Sequence, residues 1–499
     1  MRLYGEVNYT IAGLSLGDGN PASYHPRSEA VELFEQRMRS VAPDLEVDAE
    51  ALRQIERICQ QVEDAAGDRT SAATWMDVLS PQEIASEIES SLDILQAELR
   101  DLPDSQRSMR ASFARSWNLL NESQKTAFQR LSIFRGGFTR QTATAVTGVE
   151  LRTLQALVNK SLLHYAPDTG RYEIHELLRH YAQEQLDSSG EAAAAYEAHA
   201  RYFADFMAER WTQLKGHQQK VALLEVENDI ENVRAAWDYW TQLGSVGELR
   251  KFLHTFWVVY DIRGWYPAGI QLFERAVEVV RQVTTDEAQA VLGWLLAVQG
   301  VYYLSGGIYR SVGGAQKGFI LAQEGVQIVE HLHDYDEMML VPLICLFLTA
   351  SQVNDMNIAV SAAQDCLEIA SQIGDEWAIA KAKQFLTIRS ILESDYPTAE
   401  RLSRDALSTF EKNGDKWSAS ALSIEVMSLM ALNQRQFDKA TEWTRRGLRA
   451  AQEIDFKYLQ QMAYWQLGFV ATLQNDYSAP RSTGIKQWNS ARQPLDPLS

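Results

Sequence analysis

The sequence predicts a mainly α chain of several parts: a partial helical region, a module of three helices and a hairpin, and a long stack of helical hairpins. Three observations predict it. Apolar residues recur at helical spacing along most of the chain. Period-two alternation is confined to a few short stretches. Past Met356, sequence features recur every forty or forty-one residues, as in stacked repeats. At 499 residues and 46% hydrophobic content the chain can fill two to four cores.

Met1 to Leu14 alternates through Leu3, Val7, Tyr9 and Ile11 and reads as a strand. A strand at the first residue with no partner yet made suggests that the chain starts partway through a domain. Ser28 can cap a helix that turns Val31, Phe34, Met38 and Val41 inward, and Ala51 to Val62 shows Ile55, Ile58, Cys59 and Val62 on one side. Ser80-Pro81-Gln82-Glu83 is a helix start, with Ser as cap, Pro at the first position and Glu closing the box. That helix presents Ile84, Ile88, Leu92 and Leu95.

The module spans Phe113 to Leu186. Phe113, Trp117 and Leu120 share a helical stripe, and Asn121 with Gln124 makes a capping-box pattern before Phe128 and Leu131. Thr139 can cap a short helix, and Leu151 to His164 makes the next one. His164 to Ile174 then alternates about Pro167-Asp168-Thr169-Gly170, turn chemistry between two strands. Three helices followed by a hairpin make a winged helix.

Downstream, Gly374-Asp375-Glu376-Trp377 recurs as Gly414-Asp415-Lys416-Trp417. Met356-x-x-Ala359, Tyr396-x-x-Ala399 and Phe437-x-x-Ala440 recur at steps of forty and then forty-one, and Cys366, Ala406 and Gly447 keep that step. A small residue at a fixed helical position lets two helices approach, and the aromatic plugs the gap between neighbouring pairs. The pattern is similar to tetratricopeptide repeats. Tyr266-x-x-Gly269 marks an earlier repeat, and Gly306-Gly307 with Gly313-Gly314 a looser one. Another begins at Asn475, but Pro480 sits where Ala is wanted and the remainder is unpatterned, so the array reads as cut off.

The formal charge of −19 opposes non-specific attraction to nucleic acid. No apolar run is long enough to span a bilayer, and the first residues are not a secretion signal. Cys59, Cys345 and Cys366 are lone and set in apolar helices, as core residues of a cytoplasmic protein. Neither a metal-ligand spacing nor a catalytic triad is present, so the reading is no metal and no catalytic residue: not an enzyme.

Gly5-Glu6-Val7, Ala12-Gly13-Leu14 and the helix from Ser28 to Phe34 resemble the closing part of an NB-ARC module, as found in STAND signalling ATPases among bacterial transcriptional regulators. The winged helix with Ile174-His175, the stretch His199 to Phe203 and the run Glu225 to Ala236 resemble the family's domains downstream of that module. The resemblance implies four parts: 1–105, the end of a nucleotide-binding module; 106–190, the winged helix; 191–245, a helical connector; and 246–499, a repeat array. It departs in two places. The Gly-x-x-x-x-Gly-Lys-Ser/Thr loop is absent, and Asp64 to Ser71 stands where the family has Gly-(Leu/Met)-Pro-Leu-Ala. One codon string for Asp64 to Ser71, read a base later, spells Met-Pro-Leu-Ala-Ile-Glu-Leu, which implies a local frameshift that the gene sequence would settle.

The family's histidine at this position reaches the β-phosphate of bound ADP, which makes His175 the sharpest candidate. Without the phosphate loop, a helix-start histidine satisfied by nearby backbone is the favoured reading, and no cofactor is expected in this chain, ADP or ATP belonging to the full-length family. Arg179 reads as a surface or connector ion pair. The helix from Leu151 to His164 offers only Arg152 and Lys160 as basic groups, which disfavours direct DNA contact. For a protein or peptide partner on the repeats, Trp443, Arg445, Arg446 and Tyr464 are the candidates, with an acidic peptide matching the arginines; self-association is compatible with such a surface. The function implied is the regulatory, protein-interaction portion of a STAND ATPase that senses a ligand or partner on its repeats. The alternative is a transcription regulator that binds DNA through its winged helix.

Overall fold

A computed structural model describes residues 28–41, 49–61, 80–84, 109–305, 312–332 and 334–474. The strand expected before Leu14, the segment from Asp64 to Ser71, Ile88 to Leu95 and the tail from Asn475 lie outside these. The chain divides into two compact units, the first ending at His199 and the second beginning at Ala200. Both are mainly helical, as expected.

In the first unit, helices α1 (Glu29–Val41) and α2 (Ala49–Gln61) bury Val31, Phe34, Met38, Ile55, Ile58 and Cys59 in one core. Ser28 Oγ accepts from Val31 N at 3.3 Å, as its cap role requires. At Ser80 the box closes in both directions: Ser80 N and Oγ donate to Glu83, and Glu83 N donates back to Ser80 Oγ. Those bonds favour the ionised carboxylate and hold the Glu83 pKa below its ordinary value. Phe113, Leu177 and Tyr181 of the winged-helix module enter the same core, so the two segments fold around one apolar centre.

The module comprises α3 (Met109–Asn118), α4 (Glu122–Leu131), strand β1 (Phe138–Thr139), α5 (Arg140–Thr147), α6 (Leu151–Asn159), β2 (His164–Ala166), β3 (Arg171–Glu173) and α7 (Glu176–Asp187). Asn121 and Gln124 form the expected capping box, and Thr139 caps α5. Two features differ from expectation. The α6 helix ends at Asn159 rather than reaching His164, because Ser161 takes a left-handed φ of 57° and Leu162 N donates to the Leu157 carbonyl. The hairpin also gains a third strand, β1, giving the antiparallel order β1-β3-β2 with Phe138 opposite Tyr172. Two residues are too short for an alternation to show; the Phe138–Tyr172 stack, 5.9 Å between centroids, holds the strand in register.

The second unit is an array of antiparallel helices. From Ala200 it contains the rest of α8 (Ala192–Leu214), then α9 (Gln219–Asn228), α10 (Ile230–Leu243), α11 (Val246–Arg250), α12 (Leu253–Arg263) and α13 (Tyr266–Val280). There follow α14 (Asp286–Ser305), α15 (Val312–Glu330), α16 (Asp336–Gln352), α17 (Met356–Ile373), α18 (Glu376–Leu392) and α19 (Tyr396–Asn413). A helix of three pieces, α20 (Lys416–Ala421), a π-helical turn (Leu422–Met427) and α21 (Ser428–Asn433), precedes α22 (Phe437–Glu453) and α23 (Lys457–Leu473).

One turn design repeats. Asn354, Gly374, Ser394, Gly414, Arg435 and Asp455 all have left-handed φ. In each case the next residue's N–H donates to a carbonyl five positions back, as in Asp375 N to Ala370 O at 2.9 Å. At four of these turns that next residue is an aspartate (355, 375, 395, 415) whose carboxylate caps the following helix. The small-residue rule also holds: a Cβ at Gly447 would stand 2.5 Å from Ile424. Of the glycines expected to mark a looser repeat between α14 and α15, Gly306 and Gly307 lie outside the described residues, and the two helices themselves pack closely. Gly300 faces Gly318 and Gly293 faces Gly325 so closely that an added Cβ would lie 2.3–2.5 Å from a backbone oxygen. Gly313 and Gly314 start a regular helix instead of loosening it.

Candidate functional site

His175 is the N-cap of α7, where its Nδ1 accepts from Leu177 N at 3.3 Å. A ring nitrogen that accepts carries no proton, so the neutral ring holds its proton on Nε2. Arg179, one turn on, is buried rather than on the surface as expected. It donates to both Glu176 oxygens at 2.8 and 2.5 Å, to Gln183 Oε1 at 2.7 Å and to the Ser132 carbonyl at 3.2 Å. Its guanidinium thus ties α7 to the end of α4 and is spent on structure.

The exposed side of α6 carries Leu151, Arg152, Gln155 and Asn159. Lys160 just beyond it donates to the Leu119 carbonyl at 2.7 Å and to Gln124 Oε1 at 3.0 Å. Of the two basic groups expected on this helix, one is therefore committed within the module.

On the repeats, Trp443 and Arg446 of α22 line a groove of about 600 Å³ with Arg404, Ser408, Glu411 and Lys412 of α19. The Arg446 guanidinium lies 5.2 Å from the Trp443 ring centroid and pairs with Glu411 at 2.5 Å. Arg445 points elsewhere, into a neighbouring hollow of about 310 Å³ beside Asp438, Glu442 and Arg449. Tyr464 lines neither; its hydroxyl accepts from Gln452 Nε2 at 3.2 Å. The four candidates are split over three places, and only Trp443 and Arg446 share one.

A second polar centre, inside the array, was missed in the sequence. Trp417 Nε1 donates to Asp261 Oδ2 and Trp377 Nε1 to Asp415 Oδ2, both at 2.9 Å. Gln219 Nε2 donates to Asp415, and its Oε1 accepts from Lys416 N and Trp417 N. Arg263 donates to the Ile454 carbonyl and pairs with Glu227. Helices near the start of the unit are thereby bonded to repeats far along it. Lys381, 5% exposed, stands over three rings, its Nζ 4.4 Å from the Trp417 centroid, 5.6 Å from Trp377 and 5.5 Å from Phe410. Burial lowers the pKa of Lys381 and of Lys215, raises Asp261 to about 6 and Glu425 to about 7, and drives His254 down to about 3. The visible signals were a lysine within Ala-Ile-Ala-Lys381-Ala and a glutamate within Ser-Ile-Glu425-Val-Met, charges in otherwise apolar helix faces.

Cys59, Cys345 and Cys366 are buried free thiols, and burial pushes Cys366 up to about 12. Among the described residues no His, Cys, Asp and Glu gather as metal ligands, and no helix is long and apolar enough to cross a membrane.

No family model matches the chain. It is 25% identical over 458 residues to a protein of Mycobacterium tuberculosis named "Putative HTH-type transcriptional regulator", covering 82% of this chain and 50% of that one, and a Mycobacterium bovis protein of the same description matches equally. An uncharacterized protein of M. tuberculosis is 28% identical over 210 residues, 40% of this chain and 50% of that one. A solved STAND protein with a tetratricopeptide repeat sensor, from Pyrococcus horikoshii, is 15% identical and matches 85% of this chain and 71% of that one, with a TM-score of 0.33. That likeness is too loose to build on. The chain spans about half the length of the curated regulators it matches. Its resemblance to bacterial regulators is borne out by these relatives.

Proposed function

We propose that this chain is the regulatory, protein-interaction portion of a STAND-type signalling ATPase and that it senses a ligand or partner through its repeats. In this reading residues 1–105 close a nucleotide-binding module, 106–190 form the winged helix, 191–245 connect, and 246–499 sense. One observation carries the reading: the array has an open groove that sets an aromatic face beside basic groups, whereas the polar groups of the winged helix are mostly spent within it. The Trp443–Arg446 groove combines an aromatic face with guanidinium and ammonium groups, which suits an acidic segment of a protein partner.

A nucleotide role for His175 depends on a phosphate loop supplied elsewhere. The described residues do not make such a site, since His175 caps its own helix and Arg179 is paired; no nucleotide step is assigned to them. The second reading, DNA binding through the winged helix, is favoured by the name of the relatives. It would rest on α6, where Arg152 is the exposed basic side chain.

A strain lacking the gene, complemented with variants and read by transcript profiling, separates the two. The sensor reading expects Arg446→Glu with Trp443→Ala to fail in restoring the wild-type profile and Arg152→Glu to restore it. The reverse pattern, with the variants folded, overturns it.

A further inference from the structure

In a chain with 66 acidic and 47 basic residues, the groove between α19 and α22 reverses the balance: Arg404, Lys412 and Arg446 line it against a single acid, Glu411. Helical spacing gathers them. Arg404, Ser408 and Glu411 recur at i, i+4 and i+7 on α19, with Lys412 beside them, and Trp443 and Arg446 are three apart on α22. The buried Leu407 adds an apolar wall. The Trp443 ring, with the Arg446 guanidinium 5.2 Å from its centroid, fixes where that charge stands.

Two of these three cations are paired, and the pairs are weak. Arg446 is held by Glu411, side chains that are 42% and 43% exposed, and Arg404 by Glu400 one turn back, 68% and 48% exposed. Ion pairs that open to water are screened and contribute little, so either guanidinium is readily released. Lys412 Nζ and Ser408 Oγ have neither a hydrogen bond nor an ion pair among the described residues. Glu411 decides which anion can win. A partner's carboxylate that took Arg446 from Glu411 would exchange one carboxylate–guanidinium pair for another, with little to set against the entropy lost on association. A phosphoryl group carries about −1.5 to −2 charges at neutral pH and three acceptor oxygens. That charge balances three cations less one acid, and the oxygens offer an acceptor to each of Arg446, Lys412 and Ser408.

We propose that the groove takes a phosphorylated serine or threonine of a protein partner, the phosphoryl group on Arg446, Lys412 and Ser408 and a neighbouring apolar side chain on Trp443. Glu411 acts as the resident competitor that turns unphosphorylated acidic segments away. The proposal rests on the reading of the repeats as a sensor and narrows the acidic segment to one whose charge comes from phosphorylation.

The test uses the full chain and fluorescence anisotropy of labelled peptide pools with a central phosphoserine, phosphothreonine, glutamate or serine and randomised apolar flanks. The phosphorylated pools are expected to bind about tenfold or more tighter than the glutamate pool. Arg446→Gln and Lys412→Gln, both at surface positions, are each expected to weaken phosphopeptide binding by about tenfold. Glu411→Gln is expected to admit the glutamate pool and narrow the difference to about threefold. Inorganic phosphate, which brings nothing to Trp443, is expected to compete only weakly at about 10 mM. The proposal is overturned if neither phosphorylated pool binds, if the glutamate pool binds as tightly, if the two glutamine variants bind like the wild type, or if inorganic phosphate competes as well as the peptide. Discrimination that survives Glu411→Gln removes the role given to that acid. Equal binding of the glutamate pool would sink this proposal and leave the sensor reading standing, whereas groove variants that restore the wild-type transcript profile would sink the sensor reading itself.

Discussion

The two units satisfy their inner polar groups in opposite ways. In the first, Arg179 finds Glu176 and Gln183 on its own helix and Ser132 at the end of α4, His175 bonds two residues on, and Asn121 three. In the second, the bonds of Trp417 and Gln219 reach 156 to 198 residues along the chain, and among the described residues Lys381 and Glu425 have no hydrogen-bonding or ion-pair partner, Lys381 facing aromatic rings instead. Local satisfaction makes a unit whose folded state asks nothing of its surroundings. Long-range, incomplete satisfaction makes one whose stability answers to the proton.

The comparison breaks most sharply at the glycine contacts. Gly300→Val places a branched side chain where even a Cβ would lie 2.4 Å from the Gly318 carbonyl oxygen. Overpacking against backbone is expected to cost about 3 kcal/mol. Calorimetry should show the transition of the second unit falling while that of the first stays. In the first unit the counterpart is Arg179→Met, which leaves the Ser132 carbonyl without its donor, and Gln183 and Glu176 with their other partners. A loss of about 2–3 kcal/mol is expected, confined to the first unit's transition in chemical denaturation.

A proton sharpens the contrast. The folded pKa of Glu425 is raised from 4.5 to about 7 and that of Asp261 from 3.8 to about 6, burial being the larger cause in both. The folded chain therefore holds protons that the unfolded chain has released. These two groups stabilise the second unit most below their unfolded values, a contribution lost as pH rises to about 6 and 7, whereas His254, lowered from 6.5 to about 3, contributes stability that grows as pH rises towards 6.5. Glu425→Gln should remove about half of the carboxyl contribution, a difference on the order of 2 kcal/mol at pH 8. Urea unfolding of the wild type and of Glu425→Gln at several pH values checks it; a difference between them that does not change from pH 5 to 8 would remove the contrast. The smallest effect is expected at a repeated cap: Asp375→Ala removes the acceptor of Ala378 N, 2.9 Å away, at a cost of about 1 kcal/mol.

Local chemistry explains what was legible. Asn121, Thr139 and Ser80 act within three residues of themselves, so their caps could be named from the sequence, and the forty-residue step declared the stacked helices. The step of forty-one was visible as well, but a single added residue does not say whether a turn lengthens or a helix bulges; packing on both sides of the helix decided for the π-helical turn. β1 owes its pairing to Tyr172, more than thirty residues away, and two residues show no period. Of the partner candidates, Trp443 and Arg446 lie one turn apart on a helix face and were brought together, whereas neighbouring Arg445 had to point away. The inner centre was hidden because Asp261 and Trp417 meet only when the array has formed.

The most direct test of the claim that recognition belongs to the array, and not to the winged helix, is fluorescence anisotropy of the intact chain with labelled duplex DNA from a promoter whose transcription depends on the gene. It should be run across increasing salt, beside the Arg152→Glu variant. Recognition by the array predicts no saturable binding at low micromolar chain, and no difference between the two proteins. Saturable binding that weakens steeply with salt and is abolished by Arg152→Glu would contradict it.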